Sequence, residues 1–183
     1  MTSEIPVSGL TLILGGARSG KSSFVEEVAR GAGKTVLYIA TATAGDSEMT
    51  ERIRNHQASR PAEWQTLELP SDIGRNLPAS VTEVVIVDCI TLLVCNIIVS
   101  LPENAPAEAV MLKIRAEIDE LIAAQLRLGG LWLLVSNEVG LGLVPPYPLG
   151  RVYRDALGFA NQALARAAKR VILMVAGIPM VIK

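Results

Sequence analysis

The sequence predicts an α/β fold with a mostly parallel central sheet covered by helices. Strand-like and helix-like segments alternate along the whole chain. Half of the residues are hydrophobic but only 4% are aromatic, so Leu, Ile, Val and Ala must fill the core, as they do in a buried parallel sheet. At 183 residues the chain is long enough for one domain with a sizeable core and too short for two ordinary ones.

The elements follow in order. Leu10–Leu14 is a short apolar run before a Gly-rich turn and reads as the first strand. Lys21–Arg30 carries Phe24, Val25, Val28 and Ala29 at helical spacing, and Gly31 and Gly33 stop it. Thr35–Ala40 is the second strand. Asp46 or Ser47 is placed to cap a helix running to about Ser59, because Arg60 precedes Pro61 and is pushed out of helical geometry. Trp64–Leu69 reads as a short strand and Val84–Asp88 as a fully apolar one, followed by a buried helix. Ala107–Arg127 is a long amphipathic helix with Val110, Ile114, Ile118, Leu121 and Ile122 on one face. Leu131–Val135 is another buried strand, and Pro148–Lys169 reads mostly as helix. Val171–Val175 is a strand, Gly177-Ile178-Pro179 a turn, and Met180–Ile182 a terminal strand closing a β-hairpin. Residues 102–106 and 138–148 are the clearest loops.

Charge and composition exclude several functions. Lys and Arg total 17 against 18 Asp and Glu, a formal net charge of -1, with no basic run to hold nucleic acid. Cys89 and Cys95 show neither metal-site spacing nor a disulfide framework, and read as small core residues in a reducing compartment. The first nine residues, MTSEIPVSG, lack the positive charge and apolar run of a signal peptide. Residues 84–101 approach the length of a membrane span, but Asp88 and Asn96 interrupt them, so strand followed by helix is the better reading. The location expected from these features is cytoplasmic.

Residues 15–22 read GGARSGKS, which fits G-x-x-x-x-G-K-[ST] with Gly15, Gly20, Lys21 and Ser22 at the fixed positions. Glycines at those places let backbone amides turn inward around phosphate oxygens, and the following helix presents its N-terminus to the same anion. Lys21 is placed to reach the outer phosphates, and the Ser22 hydroxyl to bind Mg²⁺. Asp88 ends an apolar strand, where a second carboxylate of such sites holds the metal; a helix N-cap or a solvated strand end is the alternative for it.

His56 is the only histidine. Met49, Ile53 and His56 recur at i, i+4 and i+7, so the ring has a place on the packed face of a helix. Its segment also follows the second strand, near the carboxyl edge of the sheet where ligands bind in open α/β folds. Arg52 and Arg60 flank it and suit a phosphate, and neutral imidazole is an available nucleophile at neutral pH. Pattern alone leaves packing and chemistry both open.

Several motifs in order carry a wider resemblance: GGARSGKS (15–22), YIATA (38–42), EMTERIRNHQASRPAEWQTLE (48–68), VDCITLLVCN (87–96), VSNEVGLGLVP (135–145), RVYRDALGFANQ (151–162) and the closing VAGIPMVIK. From Leu12 to Lys183 the chain resembles the bifunctional adenosylcobinamide kinase / adenosylcobinamide-phosphate guanylyltransferase family of cobalamin biosynthesis. The resemblance implies a RecA-like, three-layer P-loop NTPase fold, a homotrimer, Mg²⁺, and GTP and ATP as substrates. It implies phosphorylation of adenosylcobinamide, then transfer of GMP from GTP through a covalent histidine–GMP intermediate to give adenosylcobinamide-GDP. His56 matches the guanylylated nucleophile. The triphosphate contacts match Gly15, Gly16, Ala17, Arg18, Ser19, Gly20, Lys21 and Ser22, with further nucleotide contacts at Ala40, Thr41, Ala42, Gln57, Ala58, Ser59, Arg60, Glu68 and Asp88. Lys21 is expected to act in catalysis beside His56, and Ser22 and Asp88 to hold the metal. Glu68 is acceptor-only when ionised and suits the guanine N1 and N2 donors; a solvated strand end is its plain alternative.

The chain departs from the family pattern in places. Some relatives carry two adjacent histidines, and here the first is Asn55. The loop that commonly reads V-P-E-N is Val144-Pro145-Pro146-Tyr147, without the carboxylate. Ser136-Asn137-Glu138 is open to ligand or subunit contact and equally to a structural turn. The whole chain, 1–183, is expected to form one nucleoside-triphosphate-binding domain with a short extension at 1–9. A monofunctional guanylyltransferase, another small-molecule P-loop kinase, and a nucleotide-dependent regulatory module are the competing functions.

Overall fold

A computed structural model describes residues 5–43, 45, 50, 51, 54, 57, 60–79 and 83–183. Its strands are β1 (Gly9–Gly15), β2 (Val36–Ala40), β3 (Gln65–Glu68), β4 (Val84–Asp88), β5 (Leu131–Val135), β6 (Arg170–Val175) and β7 (Ile178–Val181). The helices whose full ranges are described are α1 (Lys21–Gly31), α2 (Ile73–Asn76), α3 (Ile90–Val99), α4 (Ala107–Leu128) and α5 (Pro148–Ala167). Thr50, Glu51, Arg54 and Gln57 are also helical; the expected caps Asp46 and Ser47 lie outside the described residues, as do His56, Ala58 and Ser59.

The strands form one seven-stranded sheet in the order β3-β2-β4-β5-β1-β6-β7, parallel except for the β6–β7 hairpin. The central strands carry apolar side chains on both faces because both faces are covered. Leu37 and Ile39, Val85 and Val87, and Trp132 and Leu134 point to a core shared with α2, α3, α4 and α5. Val36 and Tyr38, Val84 and Ile86, and Leu131, Leu133 and Val135 point the other way, against Val25, Val28 and Ala29 of α1. The edges differ: three of the four residues of β3 are exposed, and Pro179, the only strand proline among the described residues, sits on edge strand β7 where a missing donor is tolerated.

Three expectations need correction. The hairpin turns at Ala176-Gly177, one residue earlier than predicted; both have positive φ (49° and 81°), the two-residue geometry that matches strand twist. An alanine there hides the signal, since asparagine or glycine is the usual marker. Helix α2 was not foreseen, because four residues carry no periodicity. β1 starts at Gly9, inside the expected N-terminal extension. Cys89 and Cys95 are free and only partly buried: Cys89, at the β4–α3 junction, packs against the core beneath α1, and Cys95 lies on α3.

Residues 84–101 form β4 and the ten-residue α3, and among the described residues no helix is long and apolar enough to cross a membrane. The topology sets the site. β1 and β4 are not neighbours; β5 lies between them. The loop after β1 and the carboxylate ending β4 therefore face each other across the end of β5.

Candidate active site

The loop from β1 into α1 is built from backbone rather than side-chain caps. Gly20 occupies the N-cap position of α1 with φ 92°, a left-handed geometry open to glycine at little cost. No acid stands in the first turn of α1, so its positive end is not neutralised from within. Lys21 folds back, its Nζ donating to the carbonyls of Gly15 (3.1 Å) and Gly16 (2.6 Å). Burial lowers the pKa of this ammonium, while Cys89 and Asp88 oppose the shift. The Ser19 hydroxyl is buried and has no hydrogen-bond partner among the described residues. A lysine held against the loop carbonyls and a buried hydroxyl without a protein partner are features that fit a phosphate-binding loop.

A cavity of about 460 Å³ opens beside this loop. Of the expected nucleotide contacts, Ala17, Arg18, Ser19, Gly20, Lys21, Ser22, Ala40, Ala42, Arg60, Glu68 and Asp88 line it. Gly15 and Gly16 do not; they serve through their carbonyls. Thr41 does not either. It is wholly buried, and its Oγ1 accepts from Cys89 N (2.7 Å) and donates to Cys89 O (2.8 Å), tying the end of β2 to the end of β4. Asn96 extends the tie, donating to the carbonyls of Thr41 (2.8 Å) and Pro70 (3.1 Å). Gln57 lines a second cavity of about 470 Å³ that shares Ala42 and Glu68 with the first. Its Nε2 donates to Glu68 Oε1 at 2.9 Å, so the helical segment containing residue 57 meets the end of β3 at the boundary of the two cavities.

Asp88 is not a helix cap. The N-cap of α3 is Cys89, without a side-chain bond, and Asp88 Oδ2 instead accepts a 2.6 Å hydrogen bond from the Tyr38 hydroxyl. Burial first, and then the Asp88 carboxylate, push the Tyr38 hydroxyl above its ordinary pKa, which keeps Tyr38 the donor. The neighbouring Cys89 thiol is pushed up to about 11, chiefly by burial, so it is no thiolate nucleophile at neutral pH. The Arg60 guanidinium lies 3.7 Å from the centre of the Tyr38 ring, and Trp64 stacks near the same ring at 6.4 Å. The R-P-x-x-W motif thus brings both of its large side chains to Tyr38.

The wall between the loop and Asp88 holds Asn137, from the trio open to ligand contact, and residues that the sequence did not single out as contacts: Val135 at the end of β5, and Tyr38, Cys89, Thr91 and Leu92. Of the Ser136-Asn137-Glu138 trio, Ser136 is structural, its buried Oγ donating to Asn161 Oδ1 at 2.6 Å. Asn137 lines the cavity while its backbone is held by Thr91 Oγ1 (2.8 Å) and Asn161 Nδ2 (3.0 Å). Glu138 N donates to Gly15 O at 3.1 Å, tying this loop to the glycine loop. For a metal, Ser22 and Asp88 supply only oxygen donors, which suits Mg²⁺, and among the described residues no group of three His, Cys, Asp or Glu side chains forms a protein cage.

Comparison with known proteins agrees with this geometry. Residues 11–182 match the family model of cobinamide kinase / cobinamide phosphate guanyltransferase. The chain is 44% identical over 174 residues to the bifunctional adenosylcobalamin biosynthesis protein CobP of Pseudomonas aeruginosa, covering 94% of this chain and 96% of that protein. It is 41% identical over 181 residues to the bifunctional adenosylcobalamin biosynthesis protein CobU of Escherichia coli, covering 95% and 99%. Among solved structures, the flagellar accessory protein FlaH of Methanocaldococcus jannaschii aligns with a TM-score of 0.53 at 15% identity, covering 98% of this chain and 80% of that one. The type III secretion ATPase EscN of enteropathogenic E. coli aligns with a TM-score of 0.56 at 11% identity, covering 93% and 43%. These two likenesses show the fold, that of the P-loop NTPases. With relatives matched along nearly their entire length, the chain belongs to the cobinamide kinase / cobinamide phosphate guanyltransferase family, and is a transferase.

Proposed function

We propose that this chain, as one nucleotide-binding domain, phosphorylates the aminopropanol hydroxyl of adenosylcobinamide and then guanylylates the product. The observation that carries the reading is the single cavity in which the glycine loop, Asp88, Arg60 and Glu68 meet. Lys21 and the amides of residues 15–22 hold the triphosphate, and Arg60 adds a planar cation for phosphate oxygens. Ser22 and Asp88 hold Mg²⁺, which supplies charge neutralisation on the phosphates when bound. Glu68 reads the guanine edge. In the second reaction His56 attacks the α-phosphorus of GTP; a P–N bond forms, the P–O bond to the β-phosphate breaks, and pyrophosphate leaves. A phosphate oxygen of adenosylcobinamide phosphate then attacks the same phosphorus, the P–N bond breaks, and neutral imidazole returns. What supports His56 is its sequence neighbour Gln57, hydrogen-bonded to a residue of the cavity wall.

The same reading takes ATP or GTP for the kinase step, a cytoplasmic location, and a homotrimer. The exposed apolar side chains of Val175, Ile178, Met180, Val181 and Ile182 along the hairpin edge support self-association.

The test uses Mg²⁺ and GTP labelled at the α-phosphate. Label retained on denatured protein, acid-labile and base-stable, and absent from His56→Ala, supports the intermediate. A folded protein that binds GTP without forming an adduct refutes it and leaves a plain kinase or a regulatory module. Label transfer without phosphorylation of adenosylcobinamide identifies a monofunctional guanylyltransferase.

A further inference from the structure

Tyr38 touches both charged groups on one wall of the cavity. Its hydroxyl donates to Asp88 Oδ2 at 2.6 Å, and its ring carries the Arg60 guanidinium at 3.7 Å. The strand register explains how one residue reaches both. Tyr38 pairs with Ile86 and Ala40 with Asp88, so Tyr38 and Asp88 lie on the same face of adjacent parallel strands, two residues apart along them. The ring is held in turn: it is 1% exposed, lies in the core beneath α1, and stacks near Trp64. Arg60 keeps buried Nε and Nη1 donors that meet no acceptor among the described residues. A stacked guanidinium with idle donors is oriented by the ring, not by its own hydrogen bonds.

We propose that Tyr38 is the positioning residue of the nucleotide site, its ring setting Arg60 for phosphate oxygens and its hydroxyl setting Asp88 for the metal. The bond to Oδ2 fixes the rotation of the carboxylate and leaves Oδ1 for the cation or its water. This inference rests on the proposed roles of Asp88 and Arg60. It adds that the two are coupled through one side chain, so the hydroxyl and the ring serve separable ends.

Two substitutions separate them. Tyr38→Phe removes the hydroxyl and keeps the ring; Tyr38→Leu removes both. Two binding constants are measured on each folded variant: Mn²⁺ binding to the protein–GTP complex by electron paramagnetic resonance, and binding of a fluorescent GTP analogue in EDTA. Tyr38→Phe is expected to weaken Mn²⁺ on the order of tenfold, as loss of a ligand-orienting partner does, and to leave metal-free binding of the analogue within about twofold. Tyr38→Leu is expected to weaken both, the metal-free constant by about fivefold or more. A merely structural tyrosine moves both constants together in both variants, with the melting temperature, and that outcome overturns the proposal. So does a Tyr38→Phe protein that binds Mn²⁺ like the wild type. Asp88→Asn distinguishes the two levels: if it leaves Mn²⁺ affinity intact, the metal role of Asp88 fails; if it abolishes Mn²⁺ binding while Tyr38→Phe does nothing, only the role of Tyr38 fails. If Tyr38→Leu does not fold, the contrast between the two constants in Tyr38→Phe still decides the hydroxyl's part, and Arg60→Gln in the metal-free assay decides the ring's.

Discussion

Two adjacent glycines at the end of β1 differ in what they tolerate. A Cβ on Gly15 would stand 2.6 Å from the Met174 carbonyl oxygen and 2.6 Å from Ser19 Oγ, and the residue has φ 152°. Met174 is its register partner on β6, so the carbonyl cannot retreat without opening the β1–β6 ladder. A Cβ on Gly16 meets nothing within 4 Å. Overpacking against backbone costs about 1–3 kcal/mol, and holding a non-glycine residue at such a φ costs a further 1–3 kcal/mol or so. Partial relief by movement of Ser19 leaves about 2–5 kcal/mol for Gly15→Ala. For a chain of this length that lowers the apparent melting temperature by roughly 5–15 °C. Gly16→Ala is expected to stay within about 0.5 kcal/mol of the wild type. Urea denaturation followed by circular dichroism measures both. Equal losses in the two variants, or a Gly15→Ala protein as stable as the wild type, would refute the steric reasoning and point to a loop that rebuilds itself around a side chain.

Three other outcomes follow from the packing. Glu117, 8% exposed, accepts from the backbone N–H groups of Asp72 and Ile73 (2.9 Å each), so Glu117→Gln sets an amide donor against one of them at a cost on the order of 1–3 kcal/mol. Burial, only partly opposed by those two bonds, raises the Glu117 pKa above 4.5. Its contribution to stability is therefore full below the unfolded value and is lost as pH rises through the folded one, and the gap between wild type and Glu117→Gln, read by urea midpoints, should narrow as pH rises over that range. Gly74→Ala places a Cβ 2.5 Å from the Glu120 carbonyl oxygen of α4 and should cost about 1–3 kcal/mol in the same assay; a neutral result would mean that α2 is free to lift off α4. Arg60→Lys keeps the charge but loses the flat stack on Tyr38, and should weaken binding of GTP about five- to tenfold by calorimetry with little change in melting temperature.

Most of the elements were legible because their signals are local. Short apolar runs such as the VVIV of VVIVD, and LWLLV, read as central strands in a chain of this composition, and GGARSGKS announces a phosphate loop without reference to any other residue. The contacts that shape the cavity are not local. Tyr38 and Asp88 are 50 positions apart, Thr41 and Cys89 are 48, and Glu117 reaches the start of α2 across 44. Read alone, Tyr38 is one apolar position in a strand, Glu117 is a charge on the edge of a helical stripe, and Thr41 is a polar residue at a strand end. Their partners exist only once β2, β4 and α4 have found their places. This is also why the bonds of the Thr41 hydroxyl to the Cys89 backbone were not legible in the sequence.

The strand order bears on how Ser22 and Asp88 would hold the proposed metal. With β5 between them, the axes of β1 and β4 stand about two strand spacings apart, roughly 10 Å. Mg²⁺ binds its oxygens at about 2.1 Å. Under the proposed roles of Ser22 and Asp88, that spacing leaves room for phosphate oxygens and water beside one ion, and Val135 and Asn137 at the end of β5 line the same cavity. Metal binding at such a site is expected to depend on nucleotide being present, and nucleotide binding to depend less strongly on metal, because Lys21, Arg60 and the loop amides remain. Mn²⁺ titrations of the protein with and without GTP test this asymmetry. Tight Mn²⁺ binding to the nucleotide-free protein would place additional ligands on the chain itself and reverse the order in which the site fills.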